Sequence, residues 1–140
     1  MAINPYKLGG ILKTFVSNTP DVEGAAIITP DGLPLAASLS VGMNDERVSA
    51  ISAAMLSLAE RIGKELIRGE IDRISVESKQ GLSILTRCGQ EAVLLVLASQ
   101  AAKPGLLRLE IQRTITKINL FLSYFFVIIS VINLSIKCFS

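Results

Sequence analysis

Apolar positions along this chain recur in two rhythms, and the switches between them mark its elements. Leu8, Ile11, Leu12 and Phe15 fall at i, i+3, i+4 and i+7, one stripe of a short helix. Asn4 before Pro5 supplies an N-cap and a first helical proline, and Asn18-Thr19-Pro20 ends the element. Two apolar runs near 22–29 and 33–39 flank Thr29-Pro30-Asp31-Gly32, which predicts a β-hairpin. Proline presets φ in such a turn, aspartate can bond its own backbone, and glycine accepts a positive φ. Gly42 and Asn44 interrupt the chain before a long helical pattern from Asp45 to about Arg68, closed by Gly69.

Three strand-like runs come next. Ile71–Ser78 places Ile74 and Val76 on one face and Arg73, Ser75 and Glu77 on the other. Leu82–Cys88 follows a Lys79-Gln80-Gly81 turn, and Ala92–Ala98 is continuously apolar, as expected of a central strand covered on both faces. Pro104 opens a last helix whose Leu107, Ile111, Ile115 and Ile118 share a face. The order α-β-β-α-β-β-β-α predicts an α/β (α+β) fold: a single antiparallel five-stranded sheet with helices on both faces.

The long helix carries more apolar surface than one sheet needs. On a wheel of about 100° per residue, Val48, Ile51, Met55, Leu58 and Ile62 form one stripe. Ser49, Ser52, Leu56, Ala59 and Gly63 form a second, rotated by about 110°. Glu46, Arg47, Ser57, Arg61, Lys64 and Arg68 occupy the far side. The expectation is that the bulky stripe lies on the chain's own sheet, contributing on the order of 10 kcal/mol gross. The small stripe then meets a two-fold mate, with the alternative that its residues are uncommitted and face solvent.

Half of the 140 residues are hydrophobic and the net charge is only +2, so a packed core is expected and a nucleic-acid partner is not. The composition changes sharply near residue 118. From Ile118 to Ser140 there is no Ala, Gly, Pro, Asp or Glu, Lys137 is the one charge, and four of the five phenylalanines lie there. Residues 1–118 are therefore read as the domain and 119–140 as a hydrophobic C-terminal tail. The nineteen uncharged residues from Ile118 to Ile136 would reach about 28 Å as a helix. Three readings stand side by side: a membrane anchor, a non-native extension of the kind AT-rich DNA encodes outside a true frame, and an extra packed helix. The Tyr124–Ile129 run is equally strand-like. Arg113 and Lys117 favour a cytosolic domain if the tail inserts.

Candidate chemistry is sparse. There is no histidine for a hydrolytic triad and no Walker-type run, and Cys88 and Cys138 have no metal-ligand spacing, so no catalytic, cofactor or metal site is expected. Free thiols in a reducing cytosol are the simpler reading. The first residues lack the apolar core of a signal peptide, so export is not expected. Asp31 with Glu23, and Glu70 with Asp72, are explained by turns and solvent faces.

The hairpin from Val22 to Leu39, the 45–68 helix, the Ala92-Val-Leu-Leu-Val-Leu-Ala98 strand and the Pro104-Gly-Leu-Leu-Arg-Leu-Glu110 entry together resemble the roadblock (dynein light chain) family, over about residues 5–118. The resemblance implies a roadblock/profilin-like fold and a non-enzymatic role. It also implies a homodimer formed through the long helix and the strand after it, which adds Arg73, Ser75 and Glu77 to the two-fold interface. The implied partner is a Ras-like small GTPase whose nucleotide cycle the dimer modulates, with Arg61, Lys64 and Arg68 as candidate contacts. The alternative is a scaffold or motor-complex subunit that assembles with other roadblock- or longin-like chains and touches no GTPase. A small-ligand sensor is a third reading, without a polar cluster to support it. The implied location is cytoplasmic, with a membrane tether open through the tail.

Overall fold

A strand apolar on both faces belongs in the middle of a covered sheet, and Ala92–Ala98 takes that place. A computed structural model describes residues 5–139, so the proposed Asn4 cap lies outside the described residues. The elements are α1 (Pro5–Asn18), β1 (Val22–Ile28), β2 (Pro34–Ser38), α2 (Asp45–Glu65), β3 (Arg73–Ser78), β4 (Gly81–Cys88), β5 (Ala92–Ala98) and α3 (Pro104–Phe139). They form one antiparallel sheet of order β2-β1-β5-β4-β3, with helices on both faces as expected.

The pleat sorts each strand's side chains into two cores. Ala25, Ile27, Ile84, Cys88, Leu94 and Val96 face one side, where Leu8, Leu12 and Phe15 of α1 and Leu107, Ile111 and Ile115 of α3 cover them. Ala26, Ile28, Leu85, Val93 and Leu95 face the other, covered by Leu56 of α2. Both cores run through β5, whose partners are β1 on one side and β4 on the other.

The first hairpin closes as its residues dictate. Gly32 N–H donates to the Thr29 carbonyl at 3.0 Å, Thr29 N–H to the Leu33 carbonyl at 2.9 Å, and Leu33 N–H to Thr29 Oγ1 at 3.0 Å. Gly32 has φ +95°, and a Cβ there would stand 3.3 Å from the Ala53 Cβ, so the turn tip touches α2. The positive φ favours glycine here, and the close approach leaves little room for a Cβ.

No break falls at residue 118. α3 continues as helix to Phe139, so the tail is helical where a strand was equally expected. Ile118 and Leu122 both belong to the core, and at this level Lys7 Nζ lies 5.5 Å from the Phe121 ring centroid.

Cys88 is buried in the α1/α3 core, and that burial pushes its thiol from 9.0 up to about 12, against a smaller opposing effect of a hydrogen bond with the Leu94 backbone. The folded state therefore holds this proton while the unfolded chain releases it near pH 9. The associated stability is complete below pH 9 and is lost as pH climbs toward 12, on the order of 4 kcal/mol in full. Urea midpoints measured from pH 8 to 11 should fall steeply above pH 9, and Cys88→Ala should flatten that fall. An equal slope in the variant would show that other groups cause it.

Candidate interaction surface

The surface is set by how α2 begins, lies and ends. Asn44, extended at φ −92° and ψ 119°, caps the helix by accepting from Arg47 N–H at 2.9 Å, and Asp45 and Glu46 complement the positive end of its dipole. The helix stops at Glu65, short of the expected Arg68. Ile67 takes a left-handed φ of +55° and Gly69 one of +84°, while the N–H groups of Arg68 and Gly69 turn back onto the Gly63 carbonyl at 2.7 and 3.1 Å. This reversal accounts for a small residue at 63, because a Cβ there would stand 2.4 Å from the Gly69 carbonyl oxygen.

The two stripes of α2 exchange the roles expected of them. Ser49, Ser52, Leu56 and Gly63, placed by sequence at a two-fold seam, are buried against the chain's own sheet and its C-terminal turn. Ala59 is half-buried beside them. None of these buried residues is available to a partner. The physical reason lies in the serines: Ser49 Oγ donates to the Asp45 carbonyl at 2.6 Å and Ser52 Oγ to the Val48 carbonyl at 2.9 Å. With their hydroxyls satisfied inside the helix, both behave as small apolar groups and let α2 approach the sheet closely.

The outer part of the bulky stripe consequently turns outward, while Val48 and Met55 pack against the core. Ile51 is 56%, Leu58 61% and Ile62 48% exposed, with Val48 and Met55 half-buried along its margin. Val76, on the α2 face of β3, continues the patch to the edge of the sheet at 42% exposure. β3 pairs only with β4, so its other edge is open. Arg73, Ser75 and Glu77 are exposed along that strand, on the face away from α2. Nothing in local periodicity announced Ile51, Leu58 and Ile62 as surface. The available signal was the pair of serines one turn apart, each able to bond back to its own helix.

The cations expected to meet a partner divide. Arg61 pairs with Glu65 at 2.9 Å on the outer face, where solvent weakens the pair. Lys64 lines an open cleft of about 860 Å3 with Glu60, Ile67, Gly69 and Arg87, and Arg68 is exposed in the turn beyond. Glu60 is bonded to Arg87 across this cleft, which Lys64 and Glu70 also line. Among the described residues no three His, Cys, Asp or Glu gather as metal ligands.

Comparison with known proteins follows the fold. The Roadblock/LC7 domain family profile matches residues 10–98. An uncharacterized protein of Methanocaldococcus jannaschii is 28% identical over 104 residues, covering 74% of this chain and 90% of its own. A Roadblock/LC7 domain from Streptomyces avermitilis superposes with TM-score 0.77 at 20% identity, covering 82% of this chain and 97% of that one. Myxococcus xanthus MglB does so with TM-score 0.78 at 13% identity, covering 84% and 96%.

Two glycines test the geometry. Gly63→Ala should lower stability by about 2 kcal/mol or more, since its Cβ meets backbone that cannot swing aside. Gly10→Ala, in the exposed middle of α1 with nothing within 4 Å, should raise it by about 0.5–1 kcal/mol. Thermal unfolding of the two variants should therefore shift in opposite directions.

Proposed function

Because the chain belongs to the Roadblock/LC7 family, we propose that it is a non-catalytic homodimeric module that binds a Ras-like small GTPase and modulates its nucleotide cycle. Members of that family are in general non-catalytic regulators or adaptors. The observation that carries the reading is the outward stripe Ile51, Leu58 and Ile62, contiguous with Val76 and the open edge of β3. A surface of this kind is unusual on a chain that stays alone, and a two-fold axis beside α2 covers it with its own copy.

Magnitudes suggest how such a dimer would be held. Burying these three side chains in each of two copies contributes on the order of 10 kcal/mol gross. Association costs about 4–15 kcal/mol in lost freedom and ordering. The apolar stripe alone is therefore marginal, and strand pairing at the β3 edges has to add to it. Such pairing would join two five-stranded sheets into one and remove both exposed edges. Arg73, Ser75 and Glu77 then lie at the strand seam, while the interface on the helix moves from the small stripe to the bulky one. Lys64 and Arg68, beside the cleft at the end of α2, stay accessible to a GTPase.

One structurally similar chain, MglB, has been solved in a tetrameric arrangement, which supports assembly as a property of similar chains. A chain with no histidine has no imidazole base to offer, which supports regulation by contact.

In mild detergent, with the bound detergent subtracted, light scattering with size-exclusion chromatography should give twice the chain mass for the wild type and the single mass for Ile51→Arg with Leu58→Arg. Both positions are exposed, so the circular dichroism of the variant should be unchanged. A monomeric wild type at tens of micromolar would overturn the dimer. Nucleotide turnover of a co-purifying Ras-like GTPase should change when the wild-type dimer is added. If the partner recovered is another roadblock-like chain and no GTPase binds in either nucleotide state, the scaffold reading replaces this one.

A further inference from the structure

The last helix is far longer than the sheet it covers. α3 has 36 residues, about 54 Å of helix, yet its buried contacts Leu107, Ile111, Ile115, Ile118 and Leu122 end halfway along. Beyond them Tyr124, Val127, Val131, Leu134 and Ile136 are exposed, and Leu120 is 69% exposed just before. The apolar window of this helix has a mean hydropathy of 2.0 and only 19% of it is buried. A core helix of a soluble domain would have its apolar residues covered. Here Ile128 and Ile129 are half-buried, while Tyr124, Val127, Val131, Leu134 and Ile136 stay exposed.

We propose that α3 beyond Leu122 inserts into a lipid bilayer, with the cations at the foot of α1 and α3 resting on anionic headgroups at its cytoplasmic face. Three observations select lipid over a protein groove. First, the segment is uncharged from Ile118 to Ile136. A helix lying on a membrane surface or in a protein groove carries a charged face toward water, whereas this one offers only the uncharged Asn119, Ser123, Ser130 and Asn133 in a stripe about 80° wide, with Ser135 on the opposite side. Second, past the last core residue Leu122 the 14 uncharged residues from Ser123 to Ile136 reach about 21 Å, deep into a hydrocarbon core of about 30 Å though short of crossing it. Third, charge is complementary where the helix leaves the domain. Lys7, Arg113 and Lys117 line a groove between α1 and α3 there, and Glu110, the one carboxylate lining it, is paired with Arg113 at 2.9 Å. Lys7 sits over Phe121, at the level where core contacts cease and the headgroups would begin.

Near-side cations of this kind place a domain on the cytoplasmic side of its membrane. The stripe on α2 lies across the sheet from α3, so insertion leaves it open. Membrane insertion and two-fold pairing therefore stand or fall separately.

The test is cell-free synthesis of the full chain beside preformed vesicles, either phosphatidylcholine alone or 3:1 phosphatidylcholine to phosphatidylglycerol, followed by flotation. The wild type should float with both and stay bound through 1 M salt and carbonate at pH 11. Val127→Lys with Val131→Lys should remain in the soluble fraction, with a thermal unfolding transition showing an intact domain. Lys7→Gln with Lys117→Gln should still insert, but its capture by the anionic vesicles should drop by roughly tenfold, toward that by the neutral ones. A wild-type chain that stays soluble and monodisperse without lipid would overturn the proposal. So would release from vesicles by salt alone, or Val127→Lys with Val131→Lys floating as the wild type does.

Discussion

Two hydroxyl groups folded back onto their own helix decide how the rest of this molecule is arranged. A buried hydroxyl without a partner costs about 1–3 kcal/mol, enough to turn the serine face of α2 toward water. Ser49 and Ser52 avoid that cost by donating to Asp45 and Val48 carbonyls one turn earlier. The narrow face of α2 can then lie on the sheet, with Leu56 as its one large core side chain. Ile51, Leu58 and Ile62 on the neighbouring stripe are displaced outward, while Val48 and Met55 still pack at the margin of the core. The exposed surface of the protein is thus a consequence of a hydrogen-bonding detail in its interior.

The two faces of the sheet are built to different standards. On the α1/α3 side, large side chains from two helices interlock with the strands, and Leu8, Leu12, Ile27, Leu94, Ile111 and Ile118 are almost completely buried. On the α2 side the contact layer is thin, dominated by small groups, and braced at its end by the Glu60–Arg87 pair and the Gly63 reversal. A thick core fixes the framework while a thin one leaves apolar area for use between molecules. The edges follow the same division: β2 is short and begins with Pro34, which discourages further pairing, whereas β3 has no such guard.

These features suit a protein that acts by contact. Two of its cleft charges, Glu60 and Arg87, are paired with each other, its buried thiol is held protonated, and its large apolar side chains stand where another backbone could cover them. The unusually long α3 adds a second apolar surface on the opposite side of the sheet, with different chemistry: broad and uncharged, where the α2 stripe is narrow and bordered by ions.

Most of the framework was legible in the sequence because its signals are local. A proline, an aspartate and a glycine between apolar runs define a turn, the periods of 2 and 3.6 separate strands from helices, and the unbroken apolar run Ala92–Ala98 marks the middle of the sheet. The α2 terminus was misjudged by a few residues because Ile67, a β-branched residue, adopts the left-handed conformation that only tertiary context imposes on it. The orientation of α2 was not legible at all. Periodicity reports that a helix has two usable stripes, but which one meets the sheet depends on how closely the backbones can approach and on whether each polar group finds a partner. The same holds for α3, whose stem and projection share one apolar vocabulary. Composition determined that the segment is apolar and uncharged; only the packing of Ile118 and Leu122 decided where the domain ends its hold and the bare helix begins.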